Sequence, residues 1–87
     1  MSYINTIQEF VVENFLFGDR ERLNENTSFL ESGIIDSTGI LELVSFLEET
    51  YDIVIKDDEL IPENLDSLKN VAQFLDYLNS QGLVHHL

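Results

Sequence analysis

Apolar side chains recur at helical spacing in three stretches of this 87-residue chain. Ile4, Ile7, Val11 and Phe15 share one face of a helix predicted from about residue 3 to 16, with Ser2 placed to cap it and Gly18 to end it. Ile40, Leu43, Val44, Leu47 and Tyr51 do the same for a second helix over residues 37–50, roughly 20 Å long. Leu68, Val71, Leu75 and Leu78 mark a last helix over 68–79, with Asp66 or Ser67 as cap and Gly82 as stop. Between the first two lies a long polar connection, residues 19–35, which Leu23, Phe29, Leu30, Ile34 and Ile35 should pin to the core. After the second, Asp52-Ile-Val-Ile55 alternates, with Ile53 and Ile55 inward, and Asp57 to Ile61 can form one short helical turn before Pro62 stops it.

Helices that are apolar on one side only can bury those sides only against each other. The expected fold is therefore all-α, a small four-helix bundle of three long helices and one short. Residues 1–82 should form one domain, with 83–87 a frayed tail. Phe10, Phe17 and Phe74 read as core aromatics.

Charge narrows the function more than size does. There are 17 Asp and Glu against 4 Lys and Arg, a formal net charge of −13. Such a field repels nucleic acid and anionic membrane and favours partners with basic patches. At 44% hydrophobic residues the chain is nevertheless a folding one. Cysteine is absent, so any thiol chemistry must be brought in. No basic leader or spanning apolar run is present, and a soluble, cytoplasmic protein is the default expectation.

The candidate chemistry converges on Asp36-Ser37, at the boundary between the long connection and the second helix. Either residue is an ordinary helix starter, worth about 1 kcal/mol as a cap. Two neighbours point further. Gly39 sits inside the first turns of the helix, where glycine costs about 1 kcal/mol relative to alanine, so a close approach is implied. No Lys or Arg occurs between Arg22 and Lys56, so the outward face of the helix, with Thr38, Glu42, Ser45 and Glu49 flanked by Leu41, Phe46 and Glu48, is acidic with some apolar surface. It suits a basic, partly apolar partner, or is simply a solvated face. Enzyme readings fare poorly: Ile35 stands where a nucleophile elbow needs glycine, Asp57-Asp-Glu59 lacks the oxygen spacing of a calcium loop, and His85-His86 lie in the tail.

This constellation resembles the acyl carrier proteins and their aminoacyl and peptidyl relatives over nearly the whole chain. Phe29 to Gly39 is especially similar to discrete carriers loaded by separate adenylating enzymes, D-alanyl carriers among them, and Pro62-Glu-Asn-Leu-Asp-Ser67 resembles the carrier loop before the last helix. The resemblance implies that Ser37 carries 4′-phosphopantetheine and that Asp36 assists its attachment. It implies docking through Thr38, Leu41, Glu42, Ser45, Glu48 and Glu49, although Thr38 and Ser45 stand where the family more often has apolar contacts. The partners it implies are a phosphopantetheinyl transferase, an acyl- or aminoacyl-loading enzyme and a downstream synthase or transferase. The protein itself would be a monomeric, non-catalytic carrier holding its cargo as a thioester. Fatty-acid or polyketide synthesis is the alternative setting, and an unmodified acidic helical interaction module the alternative class.

Overall fold

A computed structural model describes residues 3–84. Helix α1 spans Tyr3–Phe15, and a 3₁₀ turn follows at Arg20–Arg22. The short α2 spans Phe29–Ser32 and the central α3 spans Ser37–Tyr51. A second 3₁₀ turn, Asp57–Glu59, leads to the short α4, Pro62–Leu65, and then to α5, Leu68–Ser80. No strand occurs among the described residues, and the expected small helical bundle is what forms. Its three long helices end within one residue of where the periodicity ends.

Those three helices meet along the predicted stripes. Ile7 and Val11 of α1, Leu43 and Leu47 of α3, and Val71 and Leu75 of α5 are wholly buried, and each such side chain contributes about 1.5–3 kcal/mol on leaving water. Phe29, equally buried, brings the long connection into the same core. At one edge the Tyr3 and Tyr51 rings meet edge to face, centroids 5.2 Å apart. Burial pushes the Tyr51 phenol above its ordinary pKa, the Tyr3 phenol adds slightly to this, and a side-chain hydrogen bond with Thr6 works against it.

Each helix end has a local cause. Ser67 caps α5, its hydroxyl accepting the Asn70 N–H at 3.1 Å. Gly82 closes it with φ +74°, which lets the Leu83 N–H reach the Leu78 carbonyl at 2.9 Å. Beyond it Val84 packs on the core; His85–Leu87 and the expected cap Ser2 lie outside the described residues. At the end of α3, Asp52 takes the left-handed conformation at φ 54° and Ile53 N–H bonds the Glu48 carbonyl. Ile53 and Ile55 then point inward as their alternation predicts.

Two segments differ from the pattern-based expectation. Pro62 does not stop a helix but starts one: at the first helical position its missing N–H has no role to fill, and Ile61 before it is extended. The turn at 57–59 is a separate 3₁₀ piece. The long connection, expected as loop, holds a 3₁₀ turn and α2. α2 is stabilised from outside: Ser28 caps it, the Asp66 carboxylate accepts from the Ser28 hydroxyl and the Leu30 N–H, and the Asp66 carbonyl accepts from the Phe29 N–H at 2.8 Å. Lys69 N–H to the Glu25 carbonyl, 3.0 Å, fastens the same connection to α5.

Candidate functional site

Asp36 and Ser37 divide the work of starting α3. Asp36 is the cap: its backbone is extended and its Oδ1 accepts the Gly39 N–H at 2.7 Å, while its carbonyl accepts from Ile40. Ser37 is the first helical residue, exposed, and its hydroxyl makes no hydrogen bond among the described residues. The serine is therefore not consumed by capping. The Ser37 and Thr38 amides are likewise unpaired, as first-turn donors are, and with the positive end of a 15-residue helix they favour an anion beside the hydroxyl.

Gly39 explains how this turn comes to sit where it does. It is buried, and a Cβ there would lie 2.8 Å from Ile35 Cγ2, 3.0 Å from Phe15 Cε1 and 3.3 Å from Asp36 Oδ1. The close approach implied by the sequence is thus to the end of α1 and to the residue that leads into the cap.

Ser37 opens onto a groove of about 260 Å³ lined by Leu30 from α2, Ile40 and Leu41 from α3, Leu60 and Ile61, and Pro62, Leu65 and Asp66 at α4. Its walls are overwhelmingly apolar. None of the residues from Leu60 to Asp66, nor Leu30, stood out as site residues in the sequence. The available signal was Ile61-Pro62, an apolar residue with no helical stripe to join; Leu30 and Ile61 are both partly exposed in the structure.

The outward residues of α3 divide unequally. Thr38, Leu41, Glu42, Ser45 and Glu49 are exposed, and with Phe10, Asn14 and Phe46 they line a second, shallower groove between α1 and α3. The Phe10 and Phe46 rings stack at its floor, centroids 4.1 Å apart. Glu48 differs: it is half-buried, and its Oε2 accepts the Ile55 N–H at 2.9 Å, so it holds the extended segment after α3. Of the three phenylalanines read as core, Phe74 is buried and Phe10 partly so, whereas Phe17 is 96% exposed. The turn that ends α1 swings its ring out while Leu16 goes in.

A family profile described as "Phosphopantetheine attachment site" matches residues 6–78, which takes in every described helix but the ends of α1 and α5. The acyl carrier protein of Buchnera aphidicola is 36% identical over 62 residues, 71% of this chain and 72% of that protein. The chain belongs to the acyl carrier protein family. The acyl carrier protein of Wolinella succinogenes is 33% identical over 87% of this chain and 96% of its own length, and a probable acyl carrier protein of Serratia, PigG, is 27% identical over 80% of each. The fold agrees: the solution structure of a holo acyl carrier protein from Nitrosomonas europaea superposes with a TM-score of 0.74 over 92% of this chain and 99% of that one, at 21% identity. The protein is thus a carrier that works through covalently attached phosphopantetheine, in a family that serves enzymes rather than catalysing.

Proposed function

We propose that Ser37 receives the phosphopantetheine arm and that residues 1–82 act as one carrier domain for an acyl or aminoacyl group in a biosynthetic pathway. The observation that carries this reading is the exposed, unpartnered Ser37 hydroxyl at the first position of α3, opening onto an apolar groove. In the attachment step a phosphopantetheinyl transferase directs Ser37 Oγ at the β-phosphorus of coenzyme A. The new phosphorus–oxygen bond replaces the one to the α-phosphate, adenosine 3′,5′-bisphosphate leaves, and the hydroxyl proton passes to a base of the transferase. Once bound, the arm supplies the thiol that this cysteine-free chain lacks and holds the cargo as a thioester.

The chain's own residues fit that task. Asp36 holds the first turn through Gly39, which keeps Ser37 turned outward, and its exposed carboxylate is available to the transferase. The free amides of Ser37 and Thr38 would favour the negative charge of a phosphodiester attached there. The groove from Leu30 to Leu65 offers apolar cover to the arm or a short acyl group. Docking falls to Thr38, Leu41, Glu42, Ser45 and Glu49, with Glu48 contributing charge from a fixed position. A loading enzyme and a downstream synthase or transferase would read this face in turn, each with a basic patch.

Mass spectrometry after incubation with coenzyme A and a broad-specificity transferase tests the reading. One added arm is expected on wild type and none on Ser37→Ala; an unmodified wild type beside a competent control carrier would sink it. In the same assay Glu42→Lys and Glu49→Lys should slow transfer while circular dichroism stays unchanged, and unslowed transfer would move the docking face elsewhere.

A further inference from the structure

Phe17 combines two features that the fold itself does not need. Its side chain is 96% exposed, more than any other large apolar residue described, and its backbone lies at φ 52°, a region that bulky residues rarely adopt. Helix α1 could end there on glycine or asparagine at lower conformational cost, and Gly18 follows immediately at φ +88°. Strain of this kind persists where the surroundings over-determine it, and it gathers at functional sites.

The mounting is fastened on both sides. Gly18 N–H donates to the Val12 carbonyl at 3.0 Å and Asp19 N–H to the Leu16 carbonyl at 2.9 Å. Asp19 caps the following 3₁₀ turn, and Arg20 of that turn pairs with Glu9 of α1 at 2.6 Å. The ring is therefore presented from a held corner, which lowers the ordering cost of using it in a contact.

Position gives it a task. Phe15, two residues earlier, packs against Gly39 in the first turn of α3, and two residues of chain reach at most about 7 Å. Phe17 thus stands at the Ser37 end of the bundle. From there Phe15, Phe10 and Phe46 run in ring contact along the α1–α3 seam, with centroids 6.0 Å and then 4.1 Å apart, into the groove that Thr38, Leu41 and Glu42 line.

We infer that Phe17 is a docking anchor for the phosphopantetheinyl transferase, seated in an apolar pocket of that enzyme while its basic patch covers α3. The inference rests on the Ser37 reading and adds a contact from outside α3. The transferase is singled out because its active site must reach the Ser37 oxygen itself and so must cover this end of the bundle; an enzyme that acts at the thiol can read the α3 face with its active site an arm's length from Ser37, and has no need to cover the end of α1.

Initial rates of arm transfer, measured by mass spectrometry across a range of carrier concentrations, test it with wild type, Phe17→Asn and Phe17→Tyr. Asparagine tolerates the left-handed backbone, so Phe17→Asn should melt at or above the wild-type temperature while its KM rises about tenfold or more, the scale of a truncated anchor, with kcat unchanged. Phe17→Tyr should stay within about twofold of wild type, since the ring is kept. A folded Phe17→Asn carrier with wild-type KM would overturn the inference alone; no transfer to wild type would remove the Ser37 reading and the inference together. Sedimentation of the unmodified proteins adds a separate outcome. A wild-type dimer that Phe17→Asn dissolves would make a second copy of the chain the occupant and overturn the transferase assignment.

Discussion

Ser37 and Gly39 show how neighbouring small residues can be required for opposite reasons. On the proposed reading Ser37, which is outside, needs its hydroxyl; Gly39 is inside and needs to have no side chain. Alanine at 39 would gain about 1 kcal/mol of helix propensity over glycine. Its Cβ, however, would stand 2.8 Å from a methyl of Ile35, a side chain that is 1% exposed and β-branched, and so cannot swing away. Overpacking of this kind costs typically 1–3 kcal/mol, so Gly39→Ala should be destabilised by about 1 kcal/mol net in urea unfolding. A variant more stable than wild type would mean that the α1–α3 approach is looser than these distances imply. The reason for Gly39 could be anticipated only as far as "some close approach"; that Phe15 and Ile35 are the neighbours is a fact of packing. Phe17 departs from its expected place in the core for a related cause. An aromatic residue just past a helical stripe looks like core unless the turn that follows is known, and that turn sends Leu16 inward and Phe17 outward.

Among the elements, α1, α3 and α5 have their own periodicity, with side-chain caps at the starts of α3 and α5, whereas α2 and α4 depend on each other's neighbourhood. A four-residue helix cannot sustain itself, because nucleation costs more than so few bonds return. α2 persists because Asp66, just after α4, takes the Ser28 hydroxyl and the Leu30 N–H on its carboxylate. That link also sets one wall of the groove beside Ser37, since Leu30 and Asp66 both line it. Asp66→Ala should therefore cost about 2 kcal/mol, the scale of hydrogen bonds to a charged group, and should speed amide exchange at Leu30 selectively over the α3 core. If Leu30 exchange is unchanged, α2 is held by the burial of Phe29 alone. In the sequence α2 is legible only as part of a loop, because Asp66, the partner of its Ser28 cap, lies 38 residues further on.

For the molecule as a whole, charge of one sign dominates. Against 17 acidic residues stand 4 basic ones, and among the described residues a single ion pair, Arg20 with Glu9, is present, with both side chains about half exposed. Such a pair contributes about 0–1 kcal/mol, too little to offset the self-repulsion of the rest. Added salt should raise the melting temperature, by at least about 5 °C between low and moderate ionic strength, the effect of roughly 1 kcal/mol in a domain this size. A melting temperature indifferent to salt would show that the acidic groups are too widely spaced to matter. The same field that weakens the fold suits it to basic partners. Among the described residues no helix is long and apolar enough to cross a membrane.

The amino-acid sequence alone determined the three long helices, the starting point of α3 and the acidic character of its outer face, because each of these is decided within a few turns of chain by periodicity, capping and charge. It also marked Asp36-Ser37, since the boundary between a connection and a helix is a local event. Only the tertiary structure decided that α2 and α4 form, that Glu48 is tied to Ile55 while Glu42 and Glu49 stay exposed, that an apolar groove lies beside Ser37, and that Phe17 faces solvent. Each of those depends on contacts between residues far apart in sequence or on the direction of a turn, and neither is written in the spacing of apolar and polar side chains.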